Sequence, residues 1–175
     1  GWICGKGDGI FAPFDNVTRE EFIKMTVNVF GLNGKESECA FDDADKAEWY
    51  YPYISAAVSE NIVNGISDRL FGVGRNITRE DIAAIVYRTA LRVGIKLTAD
   101  GEYIPFSDEN TISDYSYEAV VNLAKSGVLN GGDGNLFNPQ QAATRAEAVK
   151  ILYGVYALRG IDSKVSDEAS DEAEE

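Results

Sequence analysis

The sequence lacks residues on which whole classes of function depend. Its 175 residues include no histidine and only two cysteines. Without histidine, the chain has no imidazole for acid–base chemistry near neutral pH or for metal binding. Cys4 and Cys39 lie far apart in the sequence and do not form the closely spaced pair of a thiolate metal site. We therefore expect no metal, no cofactor, and free thiols rather than a disulfide.

Long apolar runs are also missing. No stretch is long enough for a membrane-spanning helix or for the core of a signal peptide, so we expect no membrane insertion. The chain begins with Gly1 and Trp2 rather than with methionine. This start indicates a fragment or a mature form of a longer protein.

Basic residues are scarce. Lys and Arg together number 16 against 29 Asp and Glu, which gives a net charge of −13. Binding to nucleic acid depends on neutralising phosphates, so an acidic chain without a long basic run argues against a nucleic-acid partner. Residues 159–175 are rich in acids and show no apolar periodicity, which predicts an acidic disordered tail or linker.

What the sequence does contain is an internal repeat. The pattern Gly-x5-Phe occurs at residues 5–11, 65–71 and 131–137, and in each copy a Thr follows the Phe by seven residues: Thr18, Thr78 and Thr144. Composition alone does not produce a fixed spacing of glycine, aromatic residue and threonine. The chain is therefore built from copies of one unit.

Each of these threonines stands at the start of an apolar helical pattern. The second residue after it is an acid or alanine, and the third is always an acid. This is the capping box, which stabilises a helix start by about 1 kcal/mol. The first helical residue is always arginine: Arg19, Arg79 and Arg145. A cation there opposes the helix dipole by about 0.3–1 kcal/mol. Two explanations are open, namely an ion pair with a neighbouring acid or the binding of an anion beside the free N–H groups.

The apolar spacing predicts helices and no long strands. In the first copy it predicts one helix over residues 19–30, and in the other two copies it predicts a helix, a Gly-rich loop and a second helix. The fold class is therefore all-α.

Taken together, these features resemble a known family. The order Phe-x-Asp, aromatic residue, amphipathic helix, Gly, Phe and Thr-Arg-Ala-Glu is the pattern of S-layer homology domains, and residues 144–147 match the tetrapeptide in every position. The resemblance implies tandem repeats at 1–32, truncated at its start, 41–94 and 106–158. It also implies a pseudo-threefold helical spindle with a central bundle and grooves between neighbouring repeats.

The family resemblance further implies a secreted protein on the bacterial surface. Such domains bind an anionic secondary cell-wall polysaccharide, often one that ends in a pyruvate-ketal sugar. The implied glycan-binding residues are the three capping arginines, the aromatic residues at the helix starts, and the acids of Phe-x-Asp: Arg19, Arg79, Arg145, Trp49, Tyr115, Asp43 and Asp108.

Each of these residues also has a structural interpretation. Trp49 and Tyr115 would serve equally as packing residues, and Asp43 and Asp108 as caps of the helix that follows. Two other functions are alternatives to glycan binding. A glycoside hydrolase with paired carboxylates is disfavoured because caps, solvated faces and the tail account for most acids. A helical repeat that only contacts protein would use the arginines for ion pairs alone.

Two structural expectations follow from the truncated first copy. The apolar residues of its helix, 22–30, should be more exposed than their counterparts, because the first helix of that copy is missing. The grooves should pair Arg19 with residues 43–49 and Arg79 with residues 108–115, and should leave Arg145 without such a partner.

Overall fold

The computed structural model describes the chain over residues 10–32, 38–97 and 102–171, with side chains to residue 160. These residues form five α-helices and two short 3-10 turns, and no strand occurs among them, which confirms the all-α prediction. The helices are α1 (Arg19–Phe30), α2 (Tyr51–Ser59), α3 (Arg79–Arg92), α4 (Asp114–Lys125) and α5 (Arg145–Asp171).

The three capping threonines behave as their sequence predicts. Thr18 and Glu21 form a reciprocal capping box at the start of α1, and Thr144 and Glu147 do the same at α5. The Thr78 hydroxyl accepts from the Asp81 N–H at 3.2 Å, but the Asp81 carboxylate is bound elsewhere. The shorter aspartate therefore caps in one direction only.

A closed ring of backbone hydrogen bonds lies just before these caps. Ile77 N–H donates to Val17 C=O, Ala143 N–H donates to Ile77 C=O, and Val17 N–H donates to Ala143 C=O, at 3.0–3.1 Å. All three residues are fully buried. Each copy thus contributes the equivalent position to a three-membered ring, and this ring marks the pseudo-threefold axis that the family resemblance implies.

The helices pair across copies rather than within them. The helices that follow the caps, α1, α3 and α5, contact one another in the centre, while α2 packs on α1 and α4 packs on α3. The first helix of each full copy therefore covers the second helix of the copy before it.

This exchange makes one expectation wrong. The α1 residues Phe22 and Ile23 are fully buried, not exposed, because α2 of the second copy covers them. The helix that lacks such a cover is α5, which contacts only α1 and α3 among the described helices. Its residue Tyr153 is 65% exposed. The less covered central helix is thus that of the third copy, not that of the first.

The phenylalanines of Gly-x5-Phe anchor the loops in the core. Phe71 and Phe137 are fully buried, with Phe41 and Phe106 packed on their rings at 5.8 and 5.3 Å between centroids. Phe11 is 37% exposed. It belongs to the copy that lacks a Phe-x-Asp segment, and so it lacks this second ring.

The glycine of the same pattern is fixed by close packing. A Cβ atom at Gly65 would collide with the carbonyl oxygens of Ser67 and Leu70 and with the Phe41 ring. Any other residue would therefore force the loop to open.

The acidic tail differs from its prediction. The sequence predicts disorder over residues 159–175, but α5 continues without a break to Asp171. Lengthening an existing helix needs no new nucleation, and the segment contains alanine and glutamate, which favour helix. Residues 172–175 lie outside the described part of the chain.

Two further observations bear on function. Cys39 is a free thiol in the core, whereas Cys4 is not among the described residues. Over the residues that the structure describes, no helix is long and apolar enough to cross a membrane, and no cluster of acids or cysteines is suited to hold a metal ion.

Candidate functional site

The arginine that opens each central helix joins its own copy to the next. Arg19 Nε donates to Phe71 C=O at 3.0 Å and its Nη2 donates to Asn64 C=O at 3.2 Å. The guanidinium lies 5.3 Å above the centre of the Phe71 ring. Arg19 is only 3% exposed, so these contacts are buried.

The other two arginines repeat this geometry. Arg79 Nε donates to Phe137 C=O at 2.7 Å and Arg145 Nε donates to Phe11 C=O at 3.0 Å. Their guanidinium groups lie 5.3 and 5.4 Å above the same rings. The chain of contacts therefore runs from copy one to two, from two to three, and from three back to one.

Two of these arginines also form ion pairs with the following copy. Arg79 Nη1 donates to Glu147 Oε1 at 2.7 Å. Arg19 Nη1 lies 2.8 Å from Asp81 Oδ2, but this atom is buried without a hydrogen bond, so the contact is electrostatic alone. The ion-pair explanation of the recurring arginine is therefore confirmed for Arg19 and Arg79, and the partner acid is the third residue of the next central helix.

These contacts change the acidity of Glu147. Burial by itself would raise its pKa, but the Thr144 N–H and hydroxyl and the Arg79 guanidinium outweigh burial and lower the pKa. Glu147 therefore remains a carboxylate and serves as cap and ion-pair partner at once.

The acids of Phe-x-Asp hold the loop of their own copy. Asp43 accepts from the N–H groups of residues 71, 72 and 73 at 2.7–3.0 Å, and Asp108 accepts from residues 137 and 138 at 2.7–2.8 Å. The alternative that they cap the following helix is wrong, since Tyr50 stands at the start of α2 and Asp108 makes no side-chain cap bond. Burial raises the pKa of Asp43, but the loop N–H groups outweigh burial and lower it.

A groove of about 530 Å³ lies between α3 and the start of α4. All three copies contribute to it. Copy one provides Arg19, copy two provides residues 64–66 and one face of α3, and copy three provides Ser113, Tyr115 and Gln140.

Glu80 forms the polar base of this groove. It is 2% exposed and accepts from Ser113 N–H, from the Ser113 and Ser116 hydroxyls, and from Gln140 Nε2, at 2.6–3.2 Å. A buried carboxylate is tolerated only when it is bonded in this way. The network fixes the start of α4 against α3.

Tyr115 stands at the rim of the groove. Its hydroxyl donates to Asp81 Oδ1 at 3.0 Å, while the side chain remains 52% exposed. Burial of the hydroxyl, followed by the charges of Asp81 and Glu80, raises the pKa of Tyr115 well above its usual value. The phenol therefore stays protonated, and its ring offers an apolar face to the groove.

Trp49 occupies the corresponding place on the other helix pair. It is 46% exposed, and Lys24 of α1 lies 5.0 Å from its ring and 5.4 Å from the ring of Tyr53. Trp49 is not among the residues that line the groove containing Arg19.

The expected pairing of arginines and aromatic residues is therefore wrong. Arg19 shares its groove with Tyr115, which the sequence had assigned to Arg79. The reason is the exchange of helices between copies, since α4 covers α3 and the capping arginine of copy one reaches α3 as well. Arg145 contacts Phe11 and is also not left without a partner.

Several groove residues were not predicted. Ser113 and Gln140 bind Glu80, Asn64 binds Arg19, and Arg88 lines the groove on the third turn of α3. Glu80 itself was visible in the capping tetrapeptide, but nothing in the sequence placed its partners, because they come from another copy.

Comparison with known proteins agrees with this architecture. The family model of the S-layer homology domain matches residues 1–23, 40–83 and 105–149. An amylopullulanase of Thermoanaerobacterium thermosulfurigenes is 33% identical over 90% of the chain, and the exoglucanase XynX of Acetivibrio thermocellus is 34% identical over 87%. A cellulosome-anchoring protein of Acetivibrio thermocellus is 24% identical over 86% of the chain.

The chain spans only 8%, 14% and 34% of the lengths of these three relatives, so the match covers their repeat region alone. Surface-layer proteins of Lysinibacillus sphaericus and Bacillus thuringiensis also match over 87% of the chain. Most of the chain is thus a module shared by proteins of different overall function. The chain belongs to the S-layer homology domain family, whose members are anchoring rather than catalytic modules and attach surface proteins to the bacterial cell wall.

Proposed function

We propose that the chain anchors a bacterial surface protein without a covalent bond, by binding an anionic, pyruvylated secondary cell-wall polysaccharide in the groove between α3 and α4. The observation that carries this proposal is the composition of the groove. The groove of about 530 Å³ is lined by residues of all three copies. They supply an exposed tyrosine ring, an apolar side chain, hydroxyl and amide groups, and the guanidinium groups of Arg19 and Arg88. Convergence of a few polar groups on a partly apolar cleft is typical of a ligand site.

Sugar binding is supported by the rim of the groove. The Tyr115 ring is 52% exposed on one wall, and Ile66, on the loop before Phe71, is 41% exposed among the lining residues. A pyranose ring has an apolar face that suits such surfaces. Ser113 and Gln140 also line the groove, next to one another, and carry hydroxyl and amide groups for the sugar hydroxyls.

The negative charge of the protein does not oppose this binding at short range. At physiological salt, charges more than about 8 Å apart are largely screened. The acids of the groove are also compensated locally, since Asp81 is paired with Arg19 and Glu80 accepts several hydrogen bonds. A ligand carboxylate would therefore interact mainly with the nearest cation of the groove.

The predicted site residues take different parts in this proposal. Tyr115 would contact the sugar, and Arg19 would hold Asp81 and Tyr115 in place. Trp49 would form a second, equivalent sugar platform on the α1–α2 pair. The remaining members would shape the loops around the grooves rather than touch the ligand: Arg79, Arg145, Asp43 and Asp108.

One observation favours a second candidate, a repeat that serves only structure or protein contact. Arg19 is 3% exposed and Arg145 is 2% exposed, and both bond to backbone carbonyl groups. On this account the arginines have no ligand at all. The two candidates differ in whether purified cell wall retains the chain.

A pull-down with purified sacculi distinguishes them. We expect the chain to sediment with sacculi that carry their polysaccharide and to stay in solution when the polysaccharide has been removed chemically and peptidoglycan remains. Equal sedimentation with both preparations, or with neither, would contradict glycan binding.

A matched pair of tyrosine variants locates the binding. We expect Tyr115→Ala to weaken binding about three- to tenfold through loss of ring contact. Tyr153→Ala, which removes a tyrosine of α5 that is 65% exposed, should leave binding unchanged. The reverse result would place the ligand on α5 instead.

A further inference from the structure

Arg88 is a cation of the groove that has no hydrogen-bond or ion-pair partner among the described residues. It lies on the same face of α3 as Asp81, two turns further along, and lines the groove with Ala84 and Ile85. Its side chain makes no hydrogen bond or ion pair with any other described residue, and it is partly exposed. An arginine so placed has its full set of donors available in the groove.

The other charged side chains that line the groove already have partners. Arg19 is held by Phe71, Asn64 and Asp81, Asp81 also accepts from Tyr115, and Glu80 accepts from Ser113, Ser116 and Gln140: these contacts span 2.6–3.2 Å. A ligand anion at Arg19 would have to displace Asp81 from it. At Arg88 it would displace only water.

The spacing along α3 suits a sugar that carries an acid. Asp81 and Arg88 are seven residues apart, which corresponds to about 10 Å along a helix. Between them the groove floor is apolar, because Ala84 and Ile85 lie there, each 3% exposed. A sugar ring placed against Tyr115 would thus extend over an apolar floor toward the guanidinium.

We infer that Arg88 binds the carboxylate of the acidic sugar, and that the predicted capping arginines do not. This inference rests on the proposed function, since it assigns the recognition of the anion within that groove. The guanidinium fork matches both oxygens of a carboxylate, and such charge-assisted pairs are about twice as strong as neutral hydrogen bonds.

The repeat makes the assignment specific to one groove. The position ten residues after the capping threonine is Arg88 in α3, Asn28 in α1 and Gly154 in α5. All other features of the capping box recur in each copy, but this charge occurs once. The groove between α3 and α4 is therefore the one that distinguishes an acidic sugar from a neutral one.

Calorimetry with two matched ligands tests this assignment. The probes are a wall disaccharide that carries the pyruvate ketal and the same disaccharide without it. We expect Arg88→Gln to weaken binding of the acidic form about ten- to hundredfold and to leave the neutral form unchanged. Arg88→Lys should recover part of the loss, because a point charge replaces the fork.

Lys96→Gln is the control for net charge. Lys96 is exposed and lies beyond the end of α3, and its substitution removes the same unit of positive charge. It should bind both sugars as the unaltered chain does. Unchanged binding of the acidic sugar by Arg88→Gln would overturn the assignment, as would an equal loss for both sugars. Failure of the unaltered chain to bind either sugar would instead contradict the proposed function.

Discussion

The two helix pairs, α1–α2 and α3–α4, share the same backbone arrangement but differ in the side chains around their exposed aromatic residues. Both begin at a capping threonine, and in both an arginine, Arg19 or Arg79, donates to a phenylalanine carbonyl of the next copy. On the α3–α4 pair, Tyr115 is fixed to Asp81 and Arg88 is free among the described residues. On the α1–α2 pair, Lys24 is held between the rings of Trp49 and Tyr53.

If Arg88 recognises the acidic sugar as proposed, the residues that recur in every copy build the fold and the residues that vary between copies determine binding. The features that made the repeat visible are the ones that build the inter-copy contacts. The features that give one groove its chemistry lie at positions that vary between copies, such as 28 and 88. Experiments on shared residues should therefore affect stability on both pairs, and experiments on variable residues should affect one groove.

The largest expected effect concerns the shared arginines. Arg19→Ala should lower the free energy of unfolding by about 3 kcal/mol, because it leaves Asp81 and two carbonyl groups without their partner. Arg145→Ala should also destabilise the fold, since Arg145 is 2% exposed and its Nε donates to Phe11 C=O at 3.0 Å. Urea unfolding measures both.

The solvent-accessible arginine of the same groove is the control. Arg88→Ala should change stability by less than about 0.5 kcal/mol. If Arg19→Ala proved as mild as Arg88→Ala, the inter-copy contacts would not be what holds the pairs together.

The second effect concerns the shared aspartates of Phe-x-Asp. Asp43→Asn should cost about 1–3 kcal/mol, because an amide group replaces a carboxylate oxygen in front of two backbone N–H donors. Asp42→Asn, at the neighbouring position, should cost less than about 1 kcal/mol, because its pair with Arg69 is exposed.

The same substitution predicts a pH dependence. The pKa of Asp43 is lowered in the folded state, so its contribution to stability is complete above the unfolded pKa of about 4 and is lost as the pH falls through the folded pKa. The difference in stability between Asp43→Asn and the unaltered chain should therefore shrink below about pH 4. A difference that stays constant from pH 6 to pH 2 would contradict the loop N–H contacts.

The smallest effect extends the comparison to the third central helix. Tyr87 and Tyr153 occupy the same position in α3 and α5, but Tyr87 donates to Glu118 of α4, whereas Tyr153 is 65% exposed. Tyr87→Ala should cost about 1–2 kcal/mol and Tyr153→Ala less than about 0.5 kcal/mol. Equal costs, measured by thermal unfolding, would mean that another chain covers α5 in solution.

The local features of the fold were predictable because their causes are local. Thr18, Thr78 and Thr144 cap their helices as the tetrapeptides indicate. Apolar spacing located the central helices, and the fixed phenylalanines proved to be core residues where a second ring covers them. The caps join residues three positions apart, and each ring pair lies within a single copy.

The site was less predictable because it is formed by three copies. Arg19, Asp81 and Tyr115 come from different repeats, and no local pattern states that a first helix covers the preceding copy. Because of this covering, the exposed central helix is α5 rather than α1, and the arginine that shares a groove with Tyr115 is Arg19 rather than Arg79. Arg88 could not be identified as a site residue from the repeat, because the equivalent positions of the other copies hold different residues.

The most direct test of the central claim is a crystal structure of the chain with the pyruvylated disaccharide. The account predicts a sugar ring against Tyr115 in the groove between α3 and α4, with its carboxylate about 2.7–2.9 Å from the Arg88 guanidinium nitrogens. A saccharide bound instead at Trp49 or on α5, or a carboxylate that has displaced Asp81 from Arg19, would contradict it.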